Sequence, residues 1–369
     1  MYQYGLGTIE NGCKALVLYT SAAEKDDAVA QRILGYLHYN GEITGRPDYI
    51  QASGWFHRSA DNGNYGAYKG LGLMYLDGKG TKKNYKKGLE WLEKAVDKGL
   101  VGILSIIGEV YIYGGYGVNQ DFELAETWFM KGLNDQDSRS LYGMGLLYGV
   151  RDDSKQSWNK AFEWFTKATR YDESEAQISL GRMYQNGLGC KKNYKLARKW
   201  YELAVKNGNP EGYANLGKMR HYGHGITIDY DIALDLYKKA GDCGEALNGI
   251  GLLYQGGRGV FQNHNTAMMY FKKAADKESE GAYNSLGNTY RHGYSTNVNL
   301  QLAFKYYTMS ANYFSEYGMF NLGLMYGGGI GTKADKNLAL YWFRRAELFG
   351  EEKAKQYIHK IVSSSTQFP

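Results

Sequence analysis

The chain has 369 residues and a formal net charge of +6, from 44 basic and 38 acidic side chains. Glycine (49) and tyrosine (35) are in excess and proline (3) is nearly absent, which excludes collagen-like and disordered low-complexity chains. No apolar stretch approaches the ~20 residues that span a bilayer, the charge is too small to announce a nucleic-acid surface, and the scattered Cys13, Cys190 and Cys243 form neither a disulfide framework nor a C-x-x-C pair.

From Met1 to Gly5 the chain lacks the basic region and apolar block of a secretory signal, and no N-x-[S/T] sequon occurs, so a cytoplasmic chain is expected. Residues 1–28 read as a partial first unit that opens on the turn Gly5-Leu6-Gly7. From there a Leu/Ile/Met-Gly pair, usually followed by x-x-Tyr, recurs with its glycine at Gly35, Gly72, Gly108, Gly145, Gly181, Gly217, Gly251, Gly287 and Gly323, in steps of 34 to 37 residues. A small residue followed by bulky or aromatic ones trails each glycine by 16 or 17 positions, from Ala52 to Ala339, with an earlier copy at Ala15.

Apolar positions in each segment fall at i, i+3 and i+4, and G-x-G turns such as Gly78-Lys79-Gly80, Gly187-Leu188-Gly189 and Gly257-Arg258-Gly259 separate the segments, so each unit is predicted to be two helices. Four residues before each small marker stand Asn11, Asp48, Asn84, Asp121, Ser157, Asn193, Asp229, Asn263, Asn299 and Asp335, all good N-caps. The fourth and eighth loops, around Gly149 to Ser154 and Gly293 to Asn297, lack G-x-G and are expected to be locally irregular. A glycine inside a helix costs about 1 kcal/mol relative to alanine. Gly72 and Gly181 are therefore expected to face the small residue of the second helix, with aromatic neighbours such as Tyr75 and Trp91 filling the space around the crossing.

The predicted fold is all-α: a right-handed α/α superhelix, a single solenoid of antiparallel helix pairs over residues 1–362. It comprises the partial unit, nine units over 29–349, a C-terminal capping helix over 350–362 and a disordered tail over 363–369. These motifs resemble the Sel1-like repeat family, whose units carry L-G-x-x-Y, a G-x-G loop and A-x-x-W/Y-[FY]-x-x-A, here as in Ala197-x-x-Trp200-Tyr201. The resemblance covers nearly the whole chain. It implies an adaptor, as in ubiquitin-ligase assemblies of endoplasmic-reticulum-associated degradation, regulation of cell-wall synthesis or microbial contact with host proteins. The paired cysteines of secreted members associated with cell-wall components are missing.

No convergent reactive set is found. Seven histidines are scattered, and the best pair, His221-x-x-His224, reads as a helix end before a glycine turn. Gly327 to Lys333 lacks the spacing of a phosphate loop and follows a helix where that motif follows a strand. The expectation is therefore a non-enzymatic scaffold with no cofactor, no metal, no nucleic-acid partner and no membrane insertion.

At about 100° per residue, positions −3, +1 and +4 from each glycine share the arc opposite the packed one. In stacked helix pairs the first helices line the inner curve, so this arc is predicted to face a concave groove. The candidate partner-binding residues on it are Arg32, Lys69, Tyr142, Arg182, Lys218, Asn248, Asn284, Asn288 and Phe320. Their amides and cations suit a protein or an extended, acidic peptide, with Tyr142 and Phe320 as anchors.

Overall fold

A computed structural model describes residues 12–42, 45–135, 137–152, 154–312 and 315–363. The turn at Gly5-Leu6-Gly7, the cap at Asn11 and the tail beyond Ser363 lie outside the described residues. Among those residues the chain is all-α, with twenty α-helices and no strand beyond an isolated bridge between Gly115 and Val118.

Two compact units divide between Asp152 and Asp153. The first holds α1 (Gly12–Ala23), α2 (Ala28–Asn40), α3 (Tyr49–Asp61), α4 (Gly66–Asp77), α5 (Tyr85–Asp97), α6 (Leu104–Tyr113), α7 (Phe122–Asn134) and α8 (Arg139–Arg151). In the second follow α9 (Lys155–Ala168), α10 (Ser174–Asn186), α11 (Tyr194–Lys206), α12 (Pro210–Tyr222), α13 (Tyr230–Lys239) and α14 (Gly244–Gly256). It continues through α15 (His264–Ala275), α16 (Glu280–His292), α17 (Leu300–Asn312), α18 (Glu316–Gly328), α19 (Lys336–Leu348) and α20 (Ala354–Ser363). Even-numbered helices from α2 to α18 carry the Leu/Ile/Met-Gly marker and are called first helices, odd-numbered ones carry the small-residue marker, and α20 has no glycine.

The second helices start where the sequence places them. Asp48, Asn84, Asp121, Asn193, Asp229, Asn263, Asn299 and Asp335 each accept, through a side-chain oxygen, the backbone N–H three residues on. Ser157 is the exception and a correction. It is the third residue of α9, and its N–H donates at 3.1 Å to the hydroxyl of Ser154, the true cap. The connection there is cut to residues 152–154, so the helix begins almost a turn early.

The in-helix glycines face the small residue of the second helix, as expected. A Cβ would stand 3.2 Å from the Gly88 carbonyl oxygen at Gly72, 3.3 Å from that of Ala233 at Gly217 and 3.2 Å from that of Ala267 at Gly251. A ring other than the expected ones fills the crossing. A Cβ on Gly35 would stand 2.5 Å from the Phe56 ring, on Gly217 2.7 Å from Tyr237, on Gly251 2.5 Å from Phe271 and on Gly323 2.8 Å from Phe343. Each ring lies four residues after the small marker, and Phe56, Phe129, Tyr201, Tyr237, Phe271, Tyr307 and Phe343 are among the largest fully buried side chains. Tyr75 and Trp91 do not fill this crossing. Leu92 takes the ring's place beneath Gly72, and Trp91 packs on Tyr68 with ring centroids 5.5 Å apart. The pairs Gly72–Leu92 and Gly88–Leu76 have the same sequence-number sum, as antiparallel helices require.

The second glycine of a loop serves a different contact. A Cβ on Gly80 would stand 2.5 Å from the Tyr49 carbonyl oxygen, at the start of the preceding second helix, and one on Gly259 2.9 Å from the Tyr230 Cβ. The eighth loop keeps this geometry without the glycine. Ser295 takes φ 62° after Gly293 at φ 73°, its hydroxyl donates to the Asn265 side chain, and Tyr294 stacks on His264. The expected irregularity is thus confined to the fourth loop.

Alanine at Gly251 should force the Phe271 ring aside and destabilise the chain by about 1–3 kcal/mol in denaturant unfolding. At exposed Gly54 in α3, where a Cβ would meet nothing within 4 Å, the same substitution should stabilise by about 0.5–1 kcal/mol.

Candidate functional site

In the second unit α12 contacts α14, α14 contacts α16 and α16 contacts α18, whereas no comparable contact joins successive second helices among the described residues. First helices therefore line the inner side of the curve. The unit curls until its ends meet, with the Trp158 ring of α9 5.9 Å from Phe349 at the end of α19. Such curvature brings side chains from non-adjacent repeats into one space.

That space is a pit of about 230 Å³ whose lining includes Lys218 and Tyr222 of α12, Glu245 and Asn248 of α14, Glu280 of α16 and Tyr317 of α18. Asn284, Asn288 and Glu316 also face it. Of the residues predicted from the sequence, the structure gathers Lys218, Asn248, Asn284 and Asn288 here, and Arg182 lies near enough for its charge to act on Glu280.

The asparagines are partly committed to holding the wall. Asn248 Oδ1 accepts from the Ser285 hydroxyl at 2.8 Å, Asn284 Oδ1 from Asn321 Nδ2 at 2.8 Å and Asn288 Oδ1 from the Tyr307 hydroxyl at 2.8 Å. Arg182 pairs with Glu211 at 3.3 Å while both side chains keep over two-fifths of their surface accessible. Burial would lower the Arg182 and Lys218 pKa values, but the carboxylates outweigh it and hold both raised: Glu211, Glu280 and Glu245 for Arg182, and Glu316, Glu245 and Glu280 for Lys218. Glu280 is pushed up to about 7 by burial and by Glu245 and Glu316, against the opposing pull of Arg182 and Lys218.

Other predicted positions fall elsewhere. Phe320 is half-buried, its ring packing 5.6 Å from Phe343 and 5.3 Å from Tyr357 of α20. Arg32, Lys69 and Tyr142 are half-buried on α2, α4 and α8 of the first unit, Arg32 lying against Gly66 of the next first helix. Position +4 is also not free in the fifth and sixth units. The Gln185 side chain accepts from the Tyr201 hydroxyl at 3.2 Å, and His221, 1% exposed, lies between Tyr237 and Arg258.

Arg258 Nη1 donates to His221 Nε2 at 3.1 Å, which leaves the proton on Nδ1 to be donated to the Tyr237 oxygen at 3.4 Å. His224 instead stacks on Tyr194, so the two histidines serve separate packing roles. Sequence reasoning missed the carboxylates. Glu175, Glu211, Glu245, Glu280 and Glu316 recur six or seven residues before the glycine in five successive units. Their place in the first helical turn, where the helix dipole favours an acid, hides a second role.

Comparison with known proteins follows the same repeat. The Sel1 repeat family model matches residues 1–27, 28–64, 67–100, 106–132, 138–170, 174–209, 210–245, 244–279, 281–312 and 316–347. Over 104 residues, 27% of the chain, it is 32% identical to the ERAD-associated E3 ubiquitin-protein ligase component HRD3B of Arabidopsis thaliana, and the match spans 16% of that protein. Among solved structures, c5321, a protective antigen of uropathogenic Escherichia coli with an SLR fold, is 22% identical with a TM-score of 0.36, covering 96% of this chain and 98% of that one. A Sel1 repeat protein from Oxalobacter formigenes is 26% identical with a TM-score of 0.39, over 59% and 88% of the two chains.

Burial, Arg258 and Lys218 lower the His221 pKa from 6.5 to about 4. Unfolding lets this imidazole take up a proton, so its stabilising contribution is complete above pH 6.5 and is lost as pH falls from there towards 4, by about 3 kcal/mol at most. Unfolding free energies measured over that window should show this slope in the parent chain and lack it in His221→Gln.

Proposed function

This chain belongs to the Sel1 repeat family, and we propose that it is a non-enzymatic adaptor that holds a protein partner in the groove lined by the first helices of its second unit. Proteins built of Sel1 repeats are scaffolds for protein–protein interaction, and the repeat supplies the rigid, curved array such a role needs. The single observation that carries the groove reading is the pit, where polar and aromatic groups of four successive first helices converge. A catalytic reading has less to stand on, since the one strongly perturbed carboxylate there, Glu280, has other carboxylates beside it, and the hydroxyl of Ser285 in the lining is donated to Asn248.

The acidic partner expected from Arg182 and Lys218 is not the reading we keep. Arg182 is already paired with Glu211, and Glu245, Glu280 and Glu316 outnumber Lys218 around the pit. A protein segment remains the best fit, because carboxamides beside tyrosines suit an exposed backbone. A second reading, an adaptor subunit of a ubiquitin-ligase complex in endoplasmic-reticulum-associated degradation, rests on the 104-residue similarity to HRD3B. It would replace the cytoplasmic location we otherwise propose.

A photo-crosslinking phenylalanine placed at Tyr222 or Tyr317, 42% and 46% exposed in the groove, should capture the partner from cell extract. The same group at Tyr341, 47% exposed on the second helix α19, should not. Capture from Tyr341 alone would put the working face on the second helices.

A further inference from the structure

Three features of the pit go beyond its being a concave surface. First, its charged groups are not spent on one another: Glu280, Glu316 and Lys218 form no ion pair within 4.0 Å and no side-chain hydrogen bond among the described residues. Burying charges without partners is costly, so carboxylates facing one another across an open space are poised for a cation. Second, two carboxamides are more than nine-tenths buried in the wall with capacity unused. Asn215, 6% exposed, donates its Nδ2 to the Glu211 carbonyl and leaves Oδ1 without a donor. Asn248, 7% exposed, accepts at Oδ1 and leaves Nδ2 without an acceptor. One spare acceptor and one spare donor are what a peptide group needs. Third, Tyr222 and Tyr317 stand at the pit with hydroxyls that make no hydrogen bond among the described residues; the Tyr222 ring is itself stacked on His221 and His224, with centroids 4.4 and 5.7 Å away.

We propose that the pit is a socket for one basic side chain, arginine or lysine, projecting from an extended segment of the partner protein, with Glu280 and Glu316 as the charge-pairing groups, Tyr317 as its aromatic wall, the Tyr222 hydroxyl at its edge, and Asn215 and Asn248 as contacts for the segment's backbone. This rests on the groove reading above. The volume agrees with it: about 230 Å³ falls below the ~300–1,000 Å³ of typical small-molecule sites and suits a single long side chain. So does the charge, since Glu245, Glu280 and Glu316 leave the lining net negative after Lys218 is counted. An aromatic face beside carboxylates, that of Tyr317, favours a cation over an apolar side chain. An acidic side chain would meet like charge on three helices.

Entry of a cation has a proton consequence. Glu280 faces Arg182 on α10, Lys218 and Tyr222 on α12, Glu245 on α14, and Glu316 and Tyr317 on α18. Burial and the two glutamates keep it partly protonated near neutrality, so an incoming guanidinium or ammonium displaces that proton.

The test uses the full chain and four acetylated, amidated heptapeptides, Gly-Gly-Ser-X-Ser-Gly-Gly with X as arginine, lysine, glutamate or norleucine, followed by saturation-transfer NMR. The arginine or lysine peptide should bind about tenfold or more tighter than the other two, and Glu280→Gln with Glu316→Gln should remove that advantage. Binding of the basic peptide should tighten by about tenfold from pH 6 to pH 8 in the parent chain and stay flat in Glu280→Gln. If the double variant fails to fold by circular dichroism, Glu316→Gln alone carries the comparison. Equal signals for all four peptides, preference for glutamate, or a basic-peptide affinity indifferent to both glutamines would overturn the socket. Crosslinks from Tyr222 and Tyr317 would persist after such a result, whereas failure of the groove reading would remove them.

Discussion

The structure depends on one contact, an aromatic ring of a second helix seated against a glycine of the first helix in the same repeat. Phe56 beneath Gly35, Phe129 beneath Gly108, Tyr201 beneath Gly181 and Phe343 beneath Gly323 are the same contact at four points along the chain. Glycine's missing side chain lets the ring fill the crossing completely, and burying a ring of this size outweighs the roughly 1 kcal/mol that glycine costs a helix. It also fixes the curvature. First helices stripped of side chains on this face approach one another, as α12, α14, α16 and α18 do, while the bulkier second helices spread.

The same contact reaches the groove wherever the ring is a tyrosine. Its hydroxyl passes the glycine and needs a buried partner, and finds one in Gln185 for Tyr201, His221 for Tyr237 and Asn288 for Tyr307. Core packing therefore dictates polar residues on the first helix, and His221 is neutral because of it. The units with phenylalanine carry no such demand, as with Phe271 and Phe343. The pit draws on two tyrosine repeats, those of Tyr237 and Tyr307, and on the two phenylalanine repeats of Phe271 and Phe343.

Much of this was legible in the sequence. The glycine spacing and the acceptors at Asp48, Asn193 or Asp335 specify helix pairs, because period and capping are local properties. What failed was not local. Ser157 sits at the right offset, but its loop is too short for the usual entry. Phe320 shares an arc with Asn284 but is half-buried against Tyr357 of α20, a neighbour that a wheel drawn for one helix does not show. In the fifth and sixth repeats position +4 belongs to the core because a tyrosine hydroxyl arrives from the other helix. The row Glu211, Glu245, Glu280 and Glu316 was visible as a repeat, but its convergence depends on curvature, a property of several repeats together.

The most direct measurement is a double-mutant cycle on one crossing, Gly287→Ala with Tyr307→Val, read by denaturant unfolding. A Cβ on Gly287 would stand 2.5 Å from the Tyr307 ring. If that ring is what requires glycine, alanine should destabilise the parent chain by about 1–3 kcal/mol and stabilise the Tyr307→Val chain by about 0.5–1 kcal/mol, as helix propensity alone dictates. The same sign and size in both backgrounds would contradict the account.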